Sequence, residues 1–214
     1  MKVESIISKL HWLGHDSFRI DGPPVVYFDP WRLSGPLPTA DLVLVSHEHD
    51  DHCSPEDIAK ISGPDTEVIA SASAAPRLPG ARAVRPGEQM NVGGVQIEAV
   101  RAYNVNKFRS PGVPFHPREE NHVGYIITVD STRLYFAGDT DHIPEMEEFR
   151  CDVALLPVSG TYVMTVEEAV KAANAIQPQV VVPMHFGAGI GTADDGQRFR
   201  DLYEGKVVLL KQDA

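Results

Sequence analysis

The sequence predicts an α/β fold in which two mixed β-sheets pack together with helices on the outside. Three observations predict it. Short apolar β-like runs separated by turn signals recur from end to end. Strands dominate the first part of the chain, and strand–helix alternation appears in the last third. The 214 residues, 43% hydrophobic and 23% charged, suit one domain with a substantial core, taken as 1–214.

In chain order, strands are expected at 8–13, 18–20 and 25–29, the last two parted by Asp21-Gly22-Pro23-Pro24. The apolar run Leu42-Val43-Leu44-Val45 is a further strand, ending at Ser46. Ser54-Pro55-Glu56-Asp57 reads as an N-cap, a proline at the first helical position and an acid three residues past the cap. A short helix should follow to about residue 60. Strands at 67–70 and 95–100 come next, the second after Asn91-Val92-Gly93-Gly94. Residues 101–122 carry no clear periodicity and three prolines. A loop of that length inside a compact domain is usually functional or mobile. Runs at 123–129 and 133–137 are close enough to form a hairpin. A strand at 153–156 precedes the clearest helix, 165–176. Thr165 caps it, Glu168 sits three residues later, and Val166, Ala169, Val170 and Ala173 line one face. A strand at 180–183, a helix at 194–202 and a strand at 207–210 complete the pattern.

The net charge of −11 disfavours a phosphate backbone, which calls for a basic stripe, and anionic membrane surfaces. Neither a nucleic-acid nor a membrane partner is expected. Two cysteines, Cys53 and Cys151, make no disulfide framework and no cysteine-rich zinc module. No apolar stretch approaches 18 residues and the N-terminus lacks a signal-peptide pattern, so a cytoplasmic location is expected.

The chemistry concentrates in Ser46-His47-Glu48-His49-Asp50-Asp51-His52. This heptad is the turn between an apolar strand and a capped helix, at the carboxyl end of the strand, where open α/β sheets place ligand sites. In extended backbone His47 and His49 point to the same side. Asp51 and His52 follow on the curve into the helix. One loop can thus present His47 and His49 to one ion, and Asp51 and His52 to a neighbouring one. Imidazole and carboxylate together suit zinc, manganese or iron. Further ligand types stand just past other strands: Asp139 in Gly138-Asp139-Thr140-Asp141 and His185 in His185-Phe186-Gly187.

On His47-Glu48-His49-Asp50-Asp51-His52, Gly138-Asp139-Thr140 and Pro183-Met184-His185, in that order, the chain resembles the metallo-β-lactamase superfamily of metal-dependent hydrolases. The resemblance implies the αββα sandwich. It implies that His47 and His49 hold one metal, that Asp51, His52 and His185 hold the second, and that Asp139 bridges them. Trp12-Leu13-Gly14-His15 and Gly160-Thr161-Tyr162-Val163-Met164 resemble the branch that includes ascorbate-6-phosphate lactonase. N-acyl phosphatidylethanolamine phospholipase D is a more distant relative of that branch.

In one place the chain departs from the family. The family supplies a third histidine to the first metal from the end of a strand before the Gly-Asp-Thr hairpin, and Asn104 stands there. An amide oxygen is a weak zinc ligand beside imidazole. His116 and His122 are the replacements, with His116 preferred because Pro114 and Pro117 bracket it. His122 is expected to face solvent. His15 is a candidate for catalysis by orienting substrate or a ligand. Asp29 reads as a structural partner of a ligand histidine or of the loop backbone. Tyr162 stands as a candidate for the pocket mouth, Cys53 as a packed thiol, and His11 and His142 as ordinary.

The expected activity is that of a metal-dependent hydrolase with two divalent ions, zinc first, manganese or iron next. Such ions share a water of lowered pKa, which attacks a lactone, another ester or a phosphodiester of a small molecule. Asp51 would orient the hydroxide while ligating, and Lys107, Arg109 and Arg118 stand near enough in sequence to hold an anionic group. The rival classes are a metal-binding sensor without catalysis and a di-iron redox protein on the same fold. A homo-oligomer is compatible with the sequence.

Overall fold

The computed structural model describes residues 2–187 and 189–213. Among them, two six-stranded mixed sheets form, with a separate two-stranded hairpin. The first sheet runs in sequence order: β1 (Leu10–Gly14), β2 (Ser17–Ile20), β3 (Val26–Phe28), β4 (Leu42–Val45), β5 (Glu67–Ser71) and β6 (Arg82–Val84). Its pairs are antiparallel as far as β3 and parallel beyond. The second sheet is ordered β14 (Val180–Met184), β13 (Val153–Pro157), β12 (Thr132–Phe136), β11 (Val123–Val129), β8 (Val95–Arg101) and β7 (Gln89–Val92). There the first three strands are parallel and the rest antiparallel.

Strand β4 shows why this is a sandwich. Its four residues are all buried. Period-two alternation sends Leu42 and Leu44 to the core shared with the second sheet, and Val43 and Val45 to a core on the opposite face. Between the sheets, Phe28 stacks on Phe136 with ring centroids 4.9 Å apart, and Tyr125 Oη donates to the Val45 carbonyl at 2.8 Å. The outer core under β4 is closed by Ile58 and Ile61 of α2 (Pro55–Ile61). Helix α3 (Val166–Ile176) buries Ala169, Ala172 and Ala173 against the second sheet, and a capping box of Thr165 and Glu168 starts it. Thus the two-sheet architecture expected from the strand pattern is the observed one. Pro183 lies within β14, an edge strand of its sheet, where a missing N–H is tolerated.

Several local expectations change. Residues 2–9 form α1 (Lys2–Lys9), which buries Val3 and Ile6 one turn apart, so the first strand begins at Leu10. Residues 207–210 make an isolated bridge, Val181 to Val207, and no strand. The segment 101–122 holds the small hairpin β9 (Phe108–Ser110) and β10 (Val113–Pro114). The last helix, α4 (Asp195–Leu202), lies where expected. No helix among the described residues is long and apolar enough to cross a membrane.

Ser54 caps α2 as expected, yet the Asp57 carboxylate does more. It accepts from the backbone N–H groups of Arg32 and Leu33 at 2.8 and 3.0 Å, from Ser54 Oγ at 2.8 Å and from Lys60 Nζ at 2.7 Å. It therefore ties the loop after β3 to the helix after β4. Asp57→Ala should lower stability by about 2–3 kcal/mol, because it strands two backbone donors. A urea midpoint unchanged from the parent would contradict this.

Candidate metal centre

The predicted residues converge on one edge of the sandwich, where loops leave the carboxyl ends of the strands. The heptad follows β4, Asp139 follows β12, and His185 follows β14. The turn between β1 and β2 contributes His15 and Asp16. Gly138 lets Asp139 come in. It has φ +61°, and a Cβ there would stand 3.0 Å from Ser46 Cβ. The non-glycine residues His15, Asp29, Tyr162 and His185 also have positive φ, between 38° and 68°. Left-handed backbone of that kind collects at functional sites.

Two groups of ligand atoms meet at Asp139. In the first, His49 Nδ1 lies 3.0 Å from His47 Nε2 and 3.2 Å from His116 Nε2, and His116 Nε2 is 3.3 Å from Asp139 Oδ2. In the second, His52 Nε2 and His185 Nε2 lie 3.4 and 3.5 Å from Asp139 Oδ1. Asp51 Oδ2 is 3.9 Å from His52 Nε2 and 3.1 Å from His15 Nε2. Four ligand atoms at zinc–nitrogen distance in a tetrahedron would stand about 3.3 Å apart. His52 Nε2, His185 Nε2 and Asp139 Oδ1 are buried with no hydrogen-bond partner. Orphaned polar atoms of this kind each cost about 1–3 kcal/mol unless something binds them. The donor set fits divalent cations.

Each ring is held from behind. Asp29 Oδ2 accepts from His52 Nδ1 at 2.7 Å. Ser46 Oγ gives its one proton to Asp29 at 2.5 Å, so it accepts from His47 Nδ1 at 2.9 Å. Asn104 Oδ1 accepts from both the backbone N–H and Nδ1 of His116, each at 2.9 Å. Its Nδ2 donates to the Tyr162 carbonyl at 2.8 Å. The backbone donor and carbonyl fix the amide orientation. Three rings are therefore locked with Nε2 facing inward, where an ion displacing any proton there would find a lone pair. Ser159 Oγ stands 2.9 Å from His185 Nδ1 in the same manner. Asn104 thus occupies the expected histidine position but turns to hold His116, whose Nε2 faces Asp139.

The electrostatics follow from burial and from Asp139. Burial pushes the His47 and His49 imidazoles below their ordinary range. Burial presses hardest on His52 and His185 too, but the surrounding carboxylates together outweigh it, Asp139 foremost with Asp29 and Asp51 at His52 and Asp16 at His185, and hold both above that range. Asp139 is buried as well, and the same two imidazoles keep its carboxyl well below the usual carboxylate range.

Other candidates sort differently. His122 does not face solvent. It is 2% exposed, with Nε2 3.0 Å from Glu48 Oε2 and 3.2 Å from Glu120 Oε2, because residue 122 enters β11 beneath the heptad. Lys107 is occupied by Glu168 and Asp141, and Arg118 by Glu145. Arg109 is left lining a cavity of about 310 Å³ with His49, Asp51, His116, Asp139 and Tyr162. Tyr162 therefore reaches the mouth. Cys53 is a buried thiol, with burial pushing its pKa up to about 11. His11 sits between Asp21 and Asp213, and His142 is half-buried. Asp16 escaped the sequence reading. It is fully buried, both carboxylate oxygens lack a partner, and it stands 3.9 Å from His52 Nδ1. A single acid in a β-turn carries no signal that marks it as buried.

The profile of the Beta-lactamase superfamily domain matches residues 9–185. A protein of Pyrococcus abyssi named UPF0173 metal-dependent hydrolase is 33% identical, the alignment covering 95% of this chain and 96% of the relative. The crystal structure of a provisionally assigned metal-dependent hydrolase from Parabacteroides distasonis superposes with a TM-score of 0.84 at 32% identity, covering 94% of this chain and 93% of the other. Igni18, a metallo hydrolase from the archaeon Ignicoccus hospitalis, shares the fold with a TM-score of 0.76 at 24% identity, over 96% and 95% of the two chains. With the sandwich, the strand-end site and these matches together, the chain belongs to the metallo-β-lactamase superfamily, in its UPF0173 group of metal-dependent hydrolases.

Proposed function

We propose that this chain hydrolyses an ester-type bond, in a lactone, another ester or a phosphodiester, of a small substrate, with two divalent ions bound. The observation that carries the reading is the convergence of the His52, His116 and His185 imidazoles on the Asp139 carboxylate, with His52 Nε2, His185 Nε2 and Asp139 Oδ1 buried and lacking any hydrogen-bond partner. His47, His49 and His116 would hold one ion, Asp51, His52 and His185 the other, with Asp139 facing both. The imidazole-rich set suits zinc, with manganese or iron(II) as alternatives. Ions so held supply Lewis acidity and a water of lowered pKa. The chain's own residues do the rest. His15 donates toward Asp51 and fixes that carboxylate, while Asp29, Ser46, Asn104 and Ser159 fix the rings. Arg109 and Tyr162 border the cavity and would orient a substrate, Arg109 favouring one with a negative charge. The lactonase-like stretches around His15 and Tyr162 lie on either side of the centre, which supports a lactone among the candidate esters.

The test is elemental analysis together with assays on a panel of lactones and phosphodiesters, before and after chelation. Chelation should remove hydrolysis, and zinc or manganese should restore it. Redox turnover on bound iron without hydrolysis of any ester, or tight metal without turnover, would sink the reading. Apparent metal affinity should also rise with pH beyond 6.5, because His52 and His185 keep their protons above that ordinary value and an ion must displace them. Competition titrations between about pH 6 and pH 8 check the slope.

A further inference from the structure

We propose that a second cavity, on the other side of His15 from Asp51, binds a planar aromatic group of the substrate, with Arg32 at its rim for a negative charge. The inference rests on the hydrolase reading, since it assigns a specificity pocket to that centre. The cavity measures about 310 Å³ and is lined by Trp12, His15, Trp31, Arg32, Phe186 and Ala193, among others. This lies at the small end of ligand pockets, enough for one ring and a short attachment.

Its walls are aromatic and fixed before any ligand arrives. Trp12 and Phe186 stack at 5.2 Å with 25° between their planes. The Trp12 indole N–H donates to the His15 carbonyl at 2.9 Å. The Trp31 ring lies 5.2 Å from the His15 ring, and its backbone N–H is held by Ser17 Oγ at 2.9 Å. The neighbouring N–H of Arg32 is held by Asp57. These two tryptophans are the only ones in the chain, and both line this cavity.

The pocket also adjoins the chemistry. His15 lines it, while Asp51, 3.1 Å from His15 Nε2, lines the cavity over the metal centre. The His15 ring lies 4.2 Å from that of His185. A substrate whose reacting bond sits at Asp139 could therefore extend its ring past the His15–Asp51 pair. At the rim, the exposed Arg32 guanidinium lies 4.1 Å over the Trp31 ring. No carboxylate among the described residues pairs with it, in a chain of net charge −11. A free guanidinium stacked on a wall of the pocket favours an anionic group beside the ring. The substrate class is thus an aryl or arylalkyl ester or lactone that carries a negative charge.

The experiment reads tryptophan fluorescence of the purified, metal-loaded protein during titration with phenylacetate. Acetate, which has the charge without the ring, is the control for binding at the metals. A saturable change with phenylacetate and none with acetate is expected. Ala193→Leu fills the cavity from an exposed position and should weaken phenylacetate at least tenfold. Arg32→Gln should weaken phenylacetate and leave benzyl alcohol unchanged. No saturable change, or unchanged affinity in Ala193→Leu folded to the parent's denaturation midpoint, overturns the proposal. Because binding is read without turnover, ring binding in a protein that hydrolyses no ester leaves the pocket standing and overturns the reaction reading. Hydrolysis of aliphatic esters without ring binding does the reverse.

Discussion

Asp139→Asn should remove bound metal and hydrolysis together. Asp139 is the one residue that both groups of ligand atoms face, with Oδ2 toward His116 and Oδ1 toward His52 and His185. The amide keeps the volume, so packing survives. It removes the negative charge, and it turns an N–H₂ donor toward atoms that must offer lone pairs. Loss of partners that merely orient a ligand costs about 10–100-fold in metal affinity or activity. Loss of the shared carboxylate should exceed about 100-fold in both. A second readout separates this from a folding defect. In the metal-free protein the Asp139 charge is the largest influence raising His52 and His185 against the effect of burial. Imidazole titration by NMR in metal-free Asp139→Asn should therefore show both falling. Elemental analysis finding a full complement of metal, with parental hydrolysis, would defeat the assignment.

The heptad was legible because its chemistry is local. Four of the seven expected ligands lie within six residues, and an apolar strand before them with a capped helix after them fixes the turn. Asp139 and His185 were legible from a second rule, that ligands stand at carboxyl ends of strands. The sandwich was legible for a related reason, since runs such as Leu42-Val43-Leu44-Val45 leave no polar face and must be covered on both sides. What stayed hidden depends on contacts distant in sequence. Asn104 and His116 are twelve residues apart within an aperiodic loop, and only the folded chain brings the amide oxygen to the ring. Ser46 and Ser159 read as common loop serines until their hydroxyls are placed beside His47 and His185. His122, next to a strand, reads as facing solvent, yet it is buried with its ring beside Glu48 and Glu120. Helix α1 is two turns long, too short for Val3 and Ile6 to establish a period.

Asp29→Ala should damage stability and metal affinity at once, although Asp29 touches neither ion site directly. It is fully buried, and three donors converge on its carboxylate: Ser46 N–H at 2.7 Å, Ser46 Oγ at 2.5 Å and His52 Nδ1 at 2.7 Å. Alanine leaves all three without an acceptor. Removing one partner from a buried charged pair costs about 3–5 kcal/mol, and that range is the expected loss in chemical denaturation of the metal-free protein. The Ser46 hydroxyl, freed to rotate, would no longer have to accept from His47 Nδ1. His47 and His52, one ring from each ion site, would lose orientation together. Metal affinity should fall about 10–100-fold as for other partners of ligand histidines. Asp29→Asn separates the two effects. It retains one acceptor oxygen and the shape, so stability should fall less than in the alanine variant. Its N–H₂ must face either Ser46 or His52 Nδ1, both of them donors, so metal affinity should still drop. Stability within about 1 kcal/mol of the parent in Asp29→Ala, below the loss expected from even one stranded buried charge partner, would show that the loop holds its shape without this carboxylate.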